Sequence, residues 1–191
     1  MILSLFIRNK EFHVAWGDFA RAYKVNEPRE MADSVPMFLK EAIDFVAFEQ
    51  CNTILYSSGP ASFTTARIMT SLIKGIAISR PDLKFVGISN FLTYAHIASQ
   101  VKDSGMLAIP TMRGDYFVTS YRDGSLTDIK VMNELPTNAF LDDDHVFDVK
   151  NLASMQIGAI NANTAAINSK YMQTSLDINY GFTPEYRASA S

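Results

Sequence analysis

The chain has 191 residues, 48% hydrophobic and 12% aromatic, enough to bury a real core as one large domain or two small lobes and too apolar for global disorder. Its 17 lysines and arginines against 20 acids leave a net charge of −3, which argues against a protein that grips nucleic acid unaided. Cys51 is the single cysteine, so an internal disulfide and a thiolate zinc site are excluded, as suits a reducing compartment.

The N-terminal run before Arg8 is too short for a signal-peptide core or a bilayer span, so a soluble, cytoplasmic protein is expected. Ile2 to Ile7 and Glu11 to Trp16 read as a hairpin, and Phe19 to Val25 as a third strand after the Gly17-Asp18 turn. The period then changes: Met31, Val35, Phe38, Leu39, Ala42, Phe45 and Val46 recur at the spacing of one helical face. Pro36 either starts that helix or kinks it near its first turn. Thr53 to Ser57 reads as a buried strand. Arg67 to Ser79 reads as a second helix with Ile68, Met69, Leu72, Ile73 and Ile76 on its apolar side. Lys84 to Ile88 is the next strand and Asn90 to Val101 the next helix, completing a β-β-β-α-β-α-β-α order typical of a mixed α/β sheet.

Beyond Gly105 the pattern partly restarts. Met106 to Ile109, Tyr116 to Tyr121 and Ile129 to Glu134 are strand-like, with turns at Arg113-Gly114-Asp115 and Asp123-Gly124. His145 to Val149 is a candidate fourth strand and Asn163 to Met172 a helix. Two units that each begin with three strands, residues 1–102 and 103–191, suggest a duplication with a reduced second half.

The segment carrying most chemistry is the loop from Gly59 to Thr64, where a strand meets small residues and then a helix. Backbone N–H groups around Ser62, Phe63 and Thr64 could hold an anion, with Arg67 one turn further on; alternatively Ser62 only caps the helix and Pro60 stiffens its entry. Arg67 is read first as a solvated or intramolecular ion pair. The stripes Met31, Val35, Phe38, Leu39 and Phe45, and Ile68, Met69, Leu72, Ile73 and Ile76, cover a sheet, yet both are wider than one face requires, with Phe48 extending the first and Ile68 beside Met69 the second, as an interface would be. Asp142-Asp143-Asp144-His145 reads as a solvated loop rather than a metal cluster, because successive carboxylates cannot converge on one ion. His13, His96 and His145 are scattered, and no nucleophile–base pair can be nominated.

Gly59-Pro60-Ala61-Ser62-Phe63-Thr64-Thr65 followed by Arg67 resembles the Gly-Pro-Gly-Ser-Phe-Thr-Gly hallmark of the TsaB (YeaZ) family. Lys74-Gly75, Val86-Gly87-Ile88-Ser89, Met112-Arg113-Gly114-Asp115-Tyr116 and Pro184-Glu185-Tyr186-Arg187 match family segments in the same order along nearly the whole chain. The resemblance implies an actin-like, sugar-kinase and Hsp70-type fold of two ribonuclease-H-like lobes. It also implies a non-catalytic partner of the TsaD subunit, working with the TsaE ATPase in threonylcarbamoyladenosine synthesis on tRNA, with the two striped helices bundled against those of TsaD or of a second copy. In this family the first strand ends in Asp-Thr-Ser, where related ATPases hold phosphate and magnesium; here those positions are Phe6, Ile7 and Arg8. Ala61 and Thr65 replace two of the loop glycines.

The expected function is therefore a scaffold, meeting tRNA only within the complex and needing no cofactor, metal or membrane. The alternatives are an actin-like-superfamily ATPase or phosphotransferase using Ser62, Thr64 and Arg67 on phosphate, and a diverged homodimer.

Overall fold

Every residue from Leu3 to Ile7 is buried, which makes the first strand, β1 (Ile2–Arg8), the centre of the molecule rather than an edge. The computed structural model describes residues 1–8, 10–45, 48–99, 102–111, 113–122, 125–141 and 172–173. β1 pairs antiparallel with β2 (Glu11–Trp16), which pairs antiparallel with β3 (Phe19–Lys24). After α1 (Met31–Phe45), β4 (Thr53–Ser57) returns parallel to β1 on its other side; after α2 (Phe63–Ser79), β5 (Lys84–Ile88) lies parallel to β4, and α3 (Asn90–Ser99) follows. The meander followed by crossover helices is the order read from the sequence.

Of the two readings of Pro36, the structure has the one that places the proline inside the helix. α1 starts five residues before Pro36, so the proline sits in its second turn and removes the N–H that would reach the Ala32 carbonyl. A short 3₁₀ turn at Pro28–Glu30 leads into the helix, and the Glu30 carboxylate accepts the N–H groups of Asn26 and Glu27 at 3.2 and 3.3 Å. α2 begins at Phe63 rather than Arg67, because Ser62 supplies a cap there.

The second sheet comprises β6 (Ser104–Pro110), β7 (Tyr116–Arg122), β8 (Ser125–Leu126), β9 (Lys130–Met132) and β10 (Ala139–Leu141). β6 and β7 are antiparallel, β8 and β9 both pair with β7, and β10 runs parallel to β6. A meander with a parallel strand beside its first member is also the arrangement of β1, β2, β3 and β4. The return to β10 uses only residues 133–138, with no helix, whereas α1 makes the corresponding return in the first sheet. β8 and β10 are too short to register as periodic runs. The expected strand His145–Val149 lies outside the described residues, as does the expected helix Asn163–Met172 except for its last residue. Met172 is not helical; it opens β11 (Met172–Gln173), which pairs antiparallel with β5 and extends the first sheet to the order β11-β5-β4-β1-β2-β3.

The two-residue period of the strands sorts the core into two layers. Leu3, Leu5 and Ile7 of β1, with Phe12, Val14, Ile54 and Tyr56, pack beneath α1 and α2. Phe6 and Ala15 face the other way and join Phe91, Tyr94 and Ala95 of α3 with Leu107, Ile109, Phe117 and Tyr121 of the second sheet. α3 is thus buried between the sheets, with eight of its ten residues covered. Among the described residues, no helix is long and apolar enough to cross a membrane.

Candidate functional site

The loop after β4 is fixed by the elements on either side. The Ser58 N–H donates to the Ile88 carbonyl at 2.9 Å. Gly59 has φ +94°, a conformation open to glycine, and its bond to Pro60 is cis. Asn90, the first residue of α3, donates its backbone N–H to the Gly59 carbonyl at 2.8 Å and its side-chain amide to the Pro60 carbonyl at 3.1 Å. Ser62 then caps α2: its Oγ accepts the Thr65 N–H at 3.2 Å and shares a 2.8 Å hydrogen bond with Thr65 Oγ1. Thr65, in the place of a family glycine, therefore completes the cap. Thr64 and Arg67 are exposed on the first turn that Phe63 opens.

The end of β1 beside this loop is packed. Phe6 is fully buried, edge-on to Tyr94 with ring centroids 6.0 Å apart and to His13 at 6.5 Å. Ile7 turns to the opposite core layer, and its N–H donates to Ser57 Oγ at 3.3 Å. Arg8 lies opposite Glu11 in the hairpin. None of the three positions offers a carboxylate, and among the described residues no group of three or more histidine, cysteine or acidic side chains converges as metal ligands would. His13 is held neutral, its pKa lowered to about 4 by burial and then by the Arg8 guanidinium. The Glu11 carboxylate 3.3 Å from its Nε2 does not offset the loss of solvation. Burial also raises the Cys51 thiol above its ordinary range, so it is not an activated nucleophile.

The outer side of the first sheet is different. Between α1 and α2 runs an open groove of about 580 Å³ whose lining includes Val35, Pro36, Ile43, Phe48, Ile68, Leu72 and Ile76. Its end near Phe48 is braced by Arg80, which donates to the Phe48 and Cys51 carbonyls at 3.2 Å, lies over the Phe48 ring and forks onto Asp82. Arg67 borders the groove at the α2 N-terminus.

The striped residues divide. Met31, Leu39, Met69 and Ile73 are buried beneath the helices, so they belong to the chain's own core rather than to an outer surface; Val35 is also buried, at the groove floor. Phe38 is half-buried and stacks on Tyr23 at 4.8 Å. Ile68, Leu72 and Ile76 keep part of their surface in the groove. The Phe45 side chain lies outside the described residues, as do the Asp142 to His145 run and the Pro184 to Arg187 segment. The Arg113-Gly114-Asp115 turn is present, closed by the Thr111 N–H donating to the Asp115 carbonyl at 2.8 Å, with Gly114 at φ +87°.

No protein-family model and no curated protein matches the chain. Solved structures do. YeaZ from Pseudomonas aeruginosa superposes with a TM-score of 0.62 at 16% identity, over 86% of this chain and 92% of that one. The chain has the YeaZ fold. A second crystal structure, of an uncharacterized protein with similarity to peptidase YeaZ from Pseudomonas aeruginosa, gives 0.60 at 14% identity, over 91% of this chain and 94% of the other.

Within this YeaZ fold, sequence reading misses four participants. Asn90 was placed only as the start of a helix, since one buried amide holding a loop looks like any cap residue. Tyr94 and Phe91, which close over Phe6, carry no local signal, because their partner lies more than eighty positions earlier in the chain. Ile43 of the groove lies off the main stripe, whereas Phe48, which also lines it, belongs to the extra apolar width expected from the sequence.

Proposed function

We propose that this chain is a TsaB (YeaZ)-type protein: a non-catalytic, cytoplasmic subunit that docks α1 and α2 on a TsaD-like enzyme and supports tRNA threonylcarbamoylation. The observation that carries this reading is the contrast between an open apolar groove on α1 and α2 and a strand end filled by Phe6. An apolar groove between two helices suits a helix from another subunit, and a buried phenylalanine cannot accept a hydrogen bond from metal-bound water. Docking would hold the enzyme in its competent geometry and shift a population without contributing a catalytic group. The YeaZ fold and the matching order of motifs along the sequence add support.

On this reading, the two sheets are two ribonuclease-H-like lobes of an actin-like fold, residues 1–102 and 103–191, and the repeated meander-plus-parallel-strand arrangement favours it. tRNA and a TsaE-like ATPase are met by the assembled complex, in keeping with the net charge of −3. A phosphotransferase reading has weaker support, because the Ser62 hydroxyl that would serve phosphate is engaged with Thr65.

The test is co-purification with the TsaD-like subunit of the same source, followed by a modification assay with this chain omitted. Retention of the pair and loss of modification are expected. Unchanged modification without the chain would overturn the scaffold role.

A further inference from the structure

We propose that β9 is a pairing edge, at which two copies of this chain join their β9 strands antiparallel about a twofold axis through Met132. The residues from Lys130 to Leu135 are all exposed, and three of them are large and apolar: Val131 at 53%, Met132 at 38% and Leu135 at 40%. Single apolar residues on a surface are ordinary, but three so close on one strand and its continuation make a patch. Among the described residues β9 pairs with β7 alone, so its other edge presents backbone N–H and C=O groups that no strand meets.

The sequence along that edge points to a second copy as the occupant. With Met132 opposite its own counterpart, Lys130 faces Glu134, Val131 faces Asn133 and Ile129 faces Leu135, each pair occurring twice by symmetry. Lys130, Met132 and Glu134 share one face of the strand, so two opposite-charge pairs flank the two methionines. Sliding the strands one position either way separates the lysine from the glutamate. Ile129, half-covered by the inner core layer, gains Leu135 as a neighbour. Asn133 and Glu134 form a bend after the three-residue strand, and pairing extends the strand through them. Pro136 has no N–H, which ends the paired segment after Leu135.

The edge strand of the first sheet shows the contrast. On β3, Arg21 is bound to Glu41 at 2.7 Å and Lys24 lies 3.7 Å from Glu11. Neither Lys130 nor Glu134 has an ion pair among the described residues, so both charges are open to a copy. The pairing uses none of the residues that line the α1–α2 groove, and it does not depend on the docking proposed there.

The test is a charge-reversal cycle, read by sedimentation equilibrium at low ionic strength: Lys130→Glu, Glu134→Lys and the two together, against the unaltered chain. Each single reversal sets like charges opposite one another twice and is expected to weaken dimerisation about tenfold; the double reversal restores opposite pairs and should return it to within about twofold. A double reversal that fails to rescue would overturn the proposal. So would equal dimerisation by all four chains, or an unaltered chain that stays monomeric at every concentration. Met132→Cys gives a second readout: with oxidised glutathione it should form an intermolecular disulfide, because residues opposite one another in antiparallel strands have Cα atoms about 4.5–5.5 Å apart. The buried Cys51 of the unaltered chain should form none. Absence of the Met132→Cys crosslink would also overturn the pairing. None of these outcomes bears on α1 and α2, which the co-purification above judges.

Discussion

The two faces of the first sheet are both apolar, but they are completed differently. On the inner face, Phe6 meets α3 and the second sheet, and Phe91, Tyr94, Leu107, Phe117 and Tyr121 close around it. On the outer face, α1 and α2 cover Leu3, Leu5 and Ile7 but leave a groove between themselves with Ile68, Leu72 and Ile76 only partly covered. Close packing on one side and unfilled apolar surface on the other are the contrast on which the proposed docking at α1 and α2 rests.

Three tests would break or sharpen that contrast. The largest effect is expected from Phe6→Ala. A fully buried aromatic shared by two sheets and α3 should cost about 3–5 kcal/mol in urea unfolding. A loss under about 1 kcal/mol would mean that the end of β1 is a loose pocket rather than a packed core.

A pair on neighbouring positions of α2 tests the outer face. Ile73→Ala removes a buried side chain and should destabilise by about 2–4 kcal/mol. Leu72→Ala removes a half-covered one, should cost about 1 kcal/mol, and should weaken pairing more than stability. Equal losses of stability would show that the groove side is as much core as its floor.

The third concerns His13, on the inner face. Its pKa falls from 6.5 to about 4 on folding, so between those values the unfolded chain binds more protons than the folded one. Stability should therefore be flat above about pH 6.5 and decline as the pH drops toward 4, by up to about 3 kcal/mol from this residue. His13→Gln should flatten that slope in denaturant melts taken across the window; an unchanged slope would assign it to the carboxylates instead.

Much of this was legible without coordinates. The apolar run of β1, interrupted only by Ser4, the alternation of period between strands and helices, and the glycine and serine around the β4–α2 turn are local signals, and local signals set local structure. Ser62 as a cap followed from its place before an apolar stretch, and the loss of an acid at Phe6 followed from the resemblance. The width of the helical stripes was visible too, but which half of each faces the core was not. Met69 and Ile68 adjoin in sequence and share one chemistry, yet one is buried and the other opens onto a groove, because the answer depends on how far α1 stands from α2.

The sequence by itself determined the order of elements as far as α3 and the capped loop, since each depends on neighbours a few positions apart, and the resemblance supplied the missing carboxylate. Only the tertiary structure decided that Phe6 is enclosed by residues of α3 and the second sheet, and that β11 joins the first sheet from far along the chain. Those facts arise from contacts between segments distant in sequence, where side-chain identity limits what can pack but three-dimensional placement chooses the partner.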